Sequence, residues 1–415
     1  MTKANPQIAI IGSALSGNKG AAAMLESAIQ TLTERFPDAE FTLLSMYPAE
    51  DRKQNPYKNL EIVDASPLNL GVGINSWALA HRLLPFAREA VHNNSPAVRA
   101  LKNADVLLDQ GGITFVDGRE KFLLYNVASI LPALNLGVPV VKCAQALGSF
   151  KNPVNKWAAK TYLPKMAAIV SRGAVTHEYL MGLGLKNVTE GADYAFLLDV
   201  TKEDAMLAEQ KFDTKFFSGK TKVVGISPSV VMRKKVDAAG GSYVREMVEF
   251  IEYVTNKKGY KVALIPHSVR TGTDKTHNND LPLCQEIYNK LADRKNVLFL
   301  DQEMGSQELR YVIGKCDVFV ASRFHAMISS LAMKVPTLVI GWSHKYKEVL
   351  DMFGLAEWAF GQDKLSREYL QERFDSLDAQ SKEVRVKLED ALPGVKKKAY
   401  IQVDVIARII ETGKN

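Results

Sequence analysis

The sequence predicts an α/β protein made of two doubly wound, Rossmann-like domains facing each other across a cleft. Three observations lead there. The chain has 415 residues, too many for one ordinary core and comfortable for two. Short, fully apolar, β-branched runs alternate with longer helix-like segments, the pattern of parallel strands covered on both faces. The alternation then breaks in a charged stretch and starts again.

In the first half the strand-like runs are QIAII (7–11), FTLLS (41–45), LEIVD (60–64), DVLLD (105–109), PVVKCA (139–144) and AAIVS (167–171). Candidate helices lie between most of them, including 21–36 and 121–135. The stretch 199–221 is rich in charge, lacks a clear strand and reads as the junction. Beyond it come VVGIS (223–227), KVALIP (261–266), NVLFL (296–300), DVFVAS (317–322) and TLVIG (337–341). We therefore expect an N-terminal domain over 1–205, on the acceptor side with part of the donor site. A donor-side domain follows over 206–375, and helices over 376–415 can pack back across the junction. Two such domains form the arrangement known as GT-B in glycosyltransferases, with ligands at the carboxyl ends of the strands.

Composition narrows the class. With 47% hydrophobic and 24% charged residues the chain is globular rather than disordered. No apolar stretch reaches the roughly 20 residues of a membrane span. The N-terminus enters a strand and a glycine-rich loop without the features of a signal peptide, so a cytoplasmic location is expected. Cys143, Cys284 and Cys316 are scattered in apolar surroundings without a CxxC pair and read as reduced core residues. The formal charge of +7 suits an anionic small substrate or an anionic membrane surface. Without a dense basic run interleaved with aromatics, nucleic acid is not an expected partner. In 71–92, Trp77, Leu79, Leu83, Leu84 and Phe86 crowd together near Arg82, Arg88 and His92. A core helix broken at Pro85 is the preferred reading, and a surface helix resting on a membrane or a lipid-linked acceptor is the alternative.

Five motifs can carry chemistry. Gly12–Gly20 follows the first strand and opens a helix, so its turn and the free N–H groups, with Asn18 and Lys19, can meet an anion or a sugar hydroxyl. It is neither a Walker loop nor a dinucleotide fingerprint. Asp109–Asp117 ends another strand. Gly111 and Gly112 let a ligand approach the backbone, and Asp109 or Asp117 can take a hydroxyl proton, although Asp117 serves equally well as a helix cap. The strand 317–322 runs straight into Arg323-Phe324-His325, placing a guanidinium and an imidazole at a helix N-terminus and a strand carboxyl end, a setting that favours an anion. Arg172 ends strand 167–171, where it projects into a cleft or makes an inter-domain salt bridge. Finally His344 and Lys347 follow strand 337–341, and His267 ends strand 261–266. There is no H-E-x-x-H, no G-x-S-x-G elbow and no cysteine cluster, and neither a metal nor a cofactor is expected.

SRFHA at 322–326 with GWSHKYKE at 341–348 resembles the polysaccharide pyruvyl transferase family. So do GNKG at 17–20, the double-glycine turn and aspartate at 111–117, the arginine after strand 167–171, and Asp193–Phe196. The sequence departs from the family pattern at Gln110, where a glycine is usual, at Ala144–Phe150 and at Tyr194. The resemblance implies transfer of a pyruvyl group from phosphoenolpyruvate to two hydroxyls of a saccharide, free or lipid-linked, in a cell-envelope or exopolysaccharide precursor. Arg172 and Arg323 would hold the donor's phosphate and carboxylate, with Phe324 between that guanidinium and the imidazole. His325 would be the general acid. It also implies a cytoplasmic enzyme, with contact at the inner face of the membrane as the alternative placement. Two rival readings share the fold: a glycosyltransferase using a nucleotide sugar, and a saccharide-binding protein without activity.

Overall fold

The computed structural model describes residues 5–270, 278–341 and 345–413. They form two compact units. Unit 1 holds the chain up to Ser16, Met24–Leu197 and the segment from Lys396; unit 2 holds Gly17–Ala23 and Leu198–Val395. Unit 2 thus takes in a short piece of the glycine-rich loop that sequence alone leaves in the first domain.

Unit 1 is built on the strands β1 (Gln7–Ile11), β2 (Glu40–Ser45), β3 (Leu60–Asp64), β4 (Val106–Asp109), β5 (Ile113–Val116), β6 (Val140–Gly148), β7 (Ala168–Ser171) and β8 (Val188–Glu190). Their order is β3-β2-β1-β4-β6-β7-β8, and every pairing is parallel. The nine residues of β6 are all buried, as a central strand of a sheet covered on both faces must be. Its first half pairs with β4 and its second half with β5, so β4 and β5 act as one strand interrupted at Gln110–Gly112. That interruption throws the double-glycine turn out of the sheet.

Unit 2 repeats the plan with β9 (Val223–Ser227), β10 (Lys261–Leu264), β11 (Val297–Phe299), β12 (Val318–Ala321), β13 (Thr337–Gly341) and β14 (Ala359–Gly361), ordered β11-β10-β9-β12-β13-β14 and all parallel. The helix Phe324–Ala332 buries Ala326, Met327, Ile328 and Leu331. The predicted class of two parallel α/β sheets is therefore the observed one.

Local departures have local causes. The span 121–135 is not one helix but a 3-10 turn at Glu120–Phe122 and helices at Leu123–Ala128 and Leu131–Leu136. Pro132 sits in the first turn of the last, where its missing N–H costs nothing, and Gly137, at φ 72°, closes it. The junction 199–221 contains the helix Lys202–Glu209, started by a capping box between Thr201 and Asp204. Ser381–Thr412 is one long helix that starts in unit 2 and ends in unit 1, where Ala399, Val403 and Ile406 are fully buried. All three cysteines are free and buried, and burial pushes each thiol up, leaving it protonated and inert. Among the described residues no helix is long and apolar enough to cross a membrane.

The preferred core reading of 71–92 is corrected. The segment folds as a π-helical turn at Asn69–Ile74, helices at Asn75–Leu83 and Arg88–Asn94, and a 3-10 turn at Pro85–Ala87. Ile74, Ala78 and Val91 face the core, whereas Trp77, Leu79, Leu83, Leu84 and Phe86 are exposed.

Candidate active site

In unit 2 the connections leave in opposite directions from β9 and β12, which are neighbours in the sheet. The carboxyl ends beside such a switch point form the usual ligand crevice of an open α/β sheet. Arg323 stands just past β12, and its Nε and Nη2 donate to the two carboxylate oxygens of Asp280 at 2.7 and 2.5 Å. Its Nη1 donates to Asn278 Oδ1 at 2.7 Å. The wholly buried Asp280 carboxylate also accepts from the backbone of Val230 and of Ser268, each at 3.0 Å. One carboxylate thus fixes the guanidinium against the loops that follow β9 and β10. A fork held in this way keeps its direction and retains further donors for an anion.

His267, just past β10, is almost fully buried. Burial pushes its imidazole well below the usual range, and the positive charges of His325, Arg323 and Arg310 push the same way. It is therefore neutral at pH 7 in a strongly cationic setting. His325 is the second residue of the helix Phe324–Ala332. Its ring meets Phe324 edge-on at 5.2 Å between centroids, and Phe324 meets Tyr346 likewise at 5.4 Å. With Lys345 Nζ 4.6 Å from its ring centre, the buried Phe324 is a packing support for the histidine. Sequence reasoning grouped it with the substrate contacts.

The loop before the first helix belongs to this unit as well. Asn18 Oδ1 accepts from Gly20 N at 3.1 Å and caps the helix Lys19–Arg35. Gly17 O accepts from Val269 N at 3.0 Å, which ties the loop to the chain just after His267. Lys19 is buried, with Nζ 3.4 Å from Glu303. A Cβ on Gly20 would lie 2.1 Å from His325 Nδ1, so only glycine lets this helix start beside the imidazole. Gly20→Ala should push the ring aside and lower kcat by about 10²-fold, the usual penalty of misplacing a reacting group by an ångström. Steady-state kinetics beside a circular dichroism melt check this.

In unit 1 the neighbours at the switch point are β1 and β4. Gly12, at φ 83°, would place a Cβ 2.6 Å from Gly111 N, so the two glycine loops cross in contact. Asp109 is buried beneath them. Its Oδ2 accepts from Lys142 Nζ at 2.5 Å, and its Oδ1 from Gln145 Nε2 at 3.0 Å and Gly111 N at 2.9 Å. It is a buried ion pair that holds the turn, a use at odds with its expectation as proton acceptor. Asp117 clasps the segment ahead of the helix Pro153–Tyr162, accepting from Ser149 Oγ, Lys151 N and Asn155 Nδ2. Burial raises its pKa, but these hydrogen bonds outweigh that and hold it below the ordinary carboxylate value, which makes it a weak base. It does not cap the helix that follows it. Arg172 is buried, with Nη1 3.3 Å from Asp193 Oδ2, and this ion pair lies within unit 1 rather than between domains. A Cβ on Gly112 would be 3.7 Å from the same Nη1, so the double-glycine turn and Arg172 are neighbours. Asp193 also accepts from Ala195 N at 2.9 Å, opening the buried turn Tyr194–Leu197.

Of the remaining candidates, Lys347 is exposed and borders an open pocket of about 410 Å³ beside Tyr346, Gln362, Lys364 and Tyr369. His344 lies outside the described residues. Sequence reasoning missed Asp280, Arg310, Lys142 and Gln145. Arg310 is 1% exposed and donates to Leu198 O at 2.7 Å.

Two parallel sheets wound in this order make an α/β fold of the GT-B type. Solved structures share this fold: UDP-GlcNAc 2-epimerase from Neisseria meningitidis has a TM-score of 0.61 at 12% identity, covering 97% of this chain and 99% of that one. A UDP-forming trehalose-phosphate synthase from Burkholderia xenovorans has a TM-score of 0.56 at 11% identity, covering 98% of each chain. The chain belongs to the polysaccharide pyruvyl transferase family, whose model matches residues 18–344, and is accordingly a transferase. It is also similar to the amylovoran biosynthesis protein AmsJ of Erwinia amylovora, with 22% identity over 382 residues, 85% of this chain and 87% of the relative.

Proposed function

We propose that the enzyme transfers the pyruvyl group of phosphoenolpyruvate to two hydroxyls of one saccharide, forming a ketal and releasing phosphate. The observation that carries this reading is the cationic cluster of unit 2: Arg323 and His325 just past β12 and Arg310 on the helix Ser306–Gly314 all act on the neutral His267 just past β10. Phosphoenolpyruvate carries a phosphate and a carboxylate, and the fixed guanidinium beside the N-terminus of Phe324–Ala332 suits such a donor. His325 donates a proton to the methylene carbon, which becomes the methyl group, and positive charge develops at C2. One sugar hydroxyl adds there, and a second displaces the phosphate. One hydroxyl proton returns to His325 and the other leaves with the phosphate, so neither Asp109 nor Asp117 is required as a base. Arg323 offsets the charge on the departing phosphate. In unit 1, Arg172 beside the Gly112 turn is a proposed substrate contact.

The donor is tested by thermal shift. Phosphoenolpyruvate at 100 times its Kd should add about 2.7 kcal/mol of stability, and Arg323→Ala should remove that gain. Stabilisation by nucleotide sugars alone would replace this reading with a glycosyltransferase.

A further inference from the structure

The exposed apolar patch of unit 1 takes no part in the chemistry above. Val72, Trp77, Leu79, Leu83, Leu84 and Phe86 are between 40% and 84% exposed and lie within fifteen residues of chain. A folded soluble chain rarely leaves so many large apolar groups together on its surface without an occupant for them. The helix Leu123–Ala128 packs against the turn Asn69–Ile74 and leaves Leu124 84% exposed. Just before it the ring of Phe122 is also exposed, with the guanidinium of Arg119 4.8 Å and Lys121 Nζ 5.1 Å from its centre.

The surroundings are basic. Arg82 and Arg88 are exposed on the helices Asn75–Leu83 and Arg88–Asn94, and Glu89 is an exposed acid directly after Arg88. Partial burial first, and then the positive charges of Arg88, Lys102 and His92, hold His81 below its ordinary pKa. Large apolar and aromatic groups framed by arginine and lysine match the boundary between headgroups and acyl chains, where a helix lies in the plane with its apolar face down. A second copy of the same patch is a poorer occupant. A two-fold contact would set one basic rim against another of the same sign, whereas anionic headgroups neutralise Arg82 and Arg88.

We infer that this surface docks the enzyme on an anionic lipid bilayer, with the apolar side chains of 72–86 inserted and the basic rim on the headgroups. This assignment stands independently of the donor and of the ketal chemistry.

Vesicle co-sedimentation tests it, using equimolar phosphatidylglycerol and phosphatidylcholine against phosphatidylcholine alone. The wild-type protein should pellet with the anionic vesicles at low salt and be released as salt rises. Leu83→Glu with Phe86→Glu, both on the surface, should cut vesicle binding at least tenfold with the melting temperature preserved. Arg82→Gln with Arg88→Gln should weaken binding and flatten its salt dependence. A wild-type protein that stays in the supernatant with anionic vesicles at low salt overturns the inference. So does a concentration-dependent dimer that Leu83→Glu with Phe86→Glu dissolves while vesicles leave it intact, because the patch would then be covered by a second copy.

Discussion

His325→Ala is expected to lower kcat by on the order of 10²–10⁴-fold, the range that a positioned acid supplies, while phosphoenolpyruvate still stabilises the variant. In the proposed mechanism the histidine is the acid, and its surroundings hold it in one place. It stands in the first turn of its helix, its ring is fixed edge-on by Phe324, and the adjacent first helix carries glycine where any side chain would strike the imidazole. His267 is a poor substitute, because burial and its cationic neighbours keep it neutral. Single-turnover measurements separate proton transfer from binding. Unchanged turnover in His325→Ala would remove the residue from the mechanism.

Lys142→Met is expected to destabilise the protein by about 3–5 kcal/mol, the cost of stranding the other half of a buried ion pair. The lysine is 0% exposed and its partner Asp109 2%. Without the ammonium, the carboxylate keeps only neutral donors, Gln145 and the Gly111 amide. Denaturant unfolding would read the loss. Adding Asp109→Asn should recover part of it by removing the stranded charge, whereas Asp109→Asn alone should loosen the double-glycine turn. A Lys142→Met protein as stable as wild type would show that the pair does not hold that turn.

The strands were legible because each is a short apolar run between polar breaks. Of those missed, β8 (VTE) and β14 (AFG) offer no apolar run to read, and β5 follows the double-glycine turn so closely that it reads as part of that loop. Arg323 and His325 were legible because a strand leads directly into them, so their place in the sheet follows from the chain. Asp280 could not be read the same way. It stands well beyond β10 in the chain, and its pairing with Arg323 is a contact between residues 43 apart. Arg310 lies on the helix Ser306–Gly314, where an arginine ordinarily marks a solvated face. Lys142 and Gln145 sit inside the apolar run of β6, and nothing in that run announces their partners. The segment 71–92 was misread for a related reason. Apolar content says that a helix has an oily side, but only packing shows that Ile74 and Ala78 take the inward positions and Trp77 and Leu83 the outward ones.

The order of synthesis matters for a unit completed so late. Gln402 Nε2 donates to Ala192 O, Lys398 pairs with Glu190 and Arg35 with Glu411, all within unit 1. The ribosome makes Leu197 roughly two hundred residues before the helical turn that carries Lys396. At 5–20 residues per second that is a delay of about 10–40 s. Throughout it every strand of the first sheet has been made, but not the segment that meets Glu190 and Ala192 beside β8, while the residues of unit 2 up to Val395 are emerging. The nascent chain should therefore gain the full protease resistance of unit 1 only once the segment from Lys396 has emerged, although unit 1 supplies most of the earlier residues.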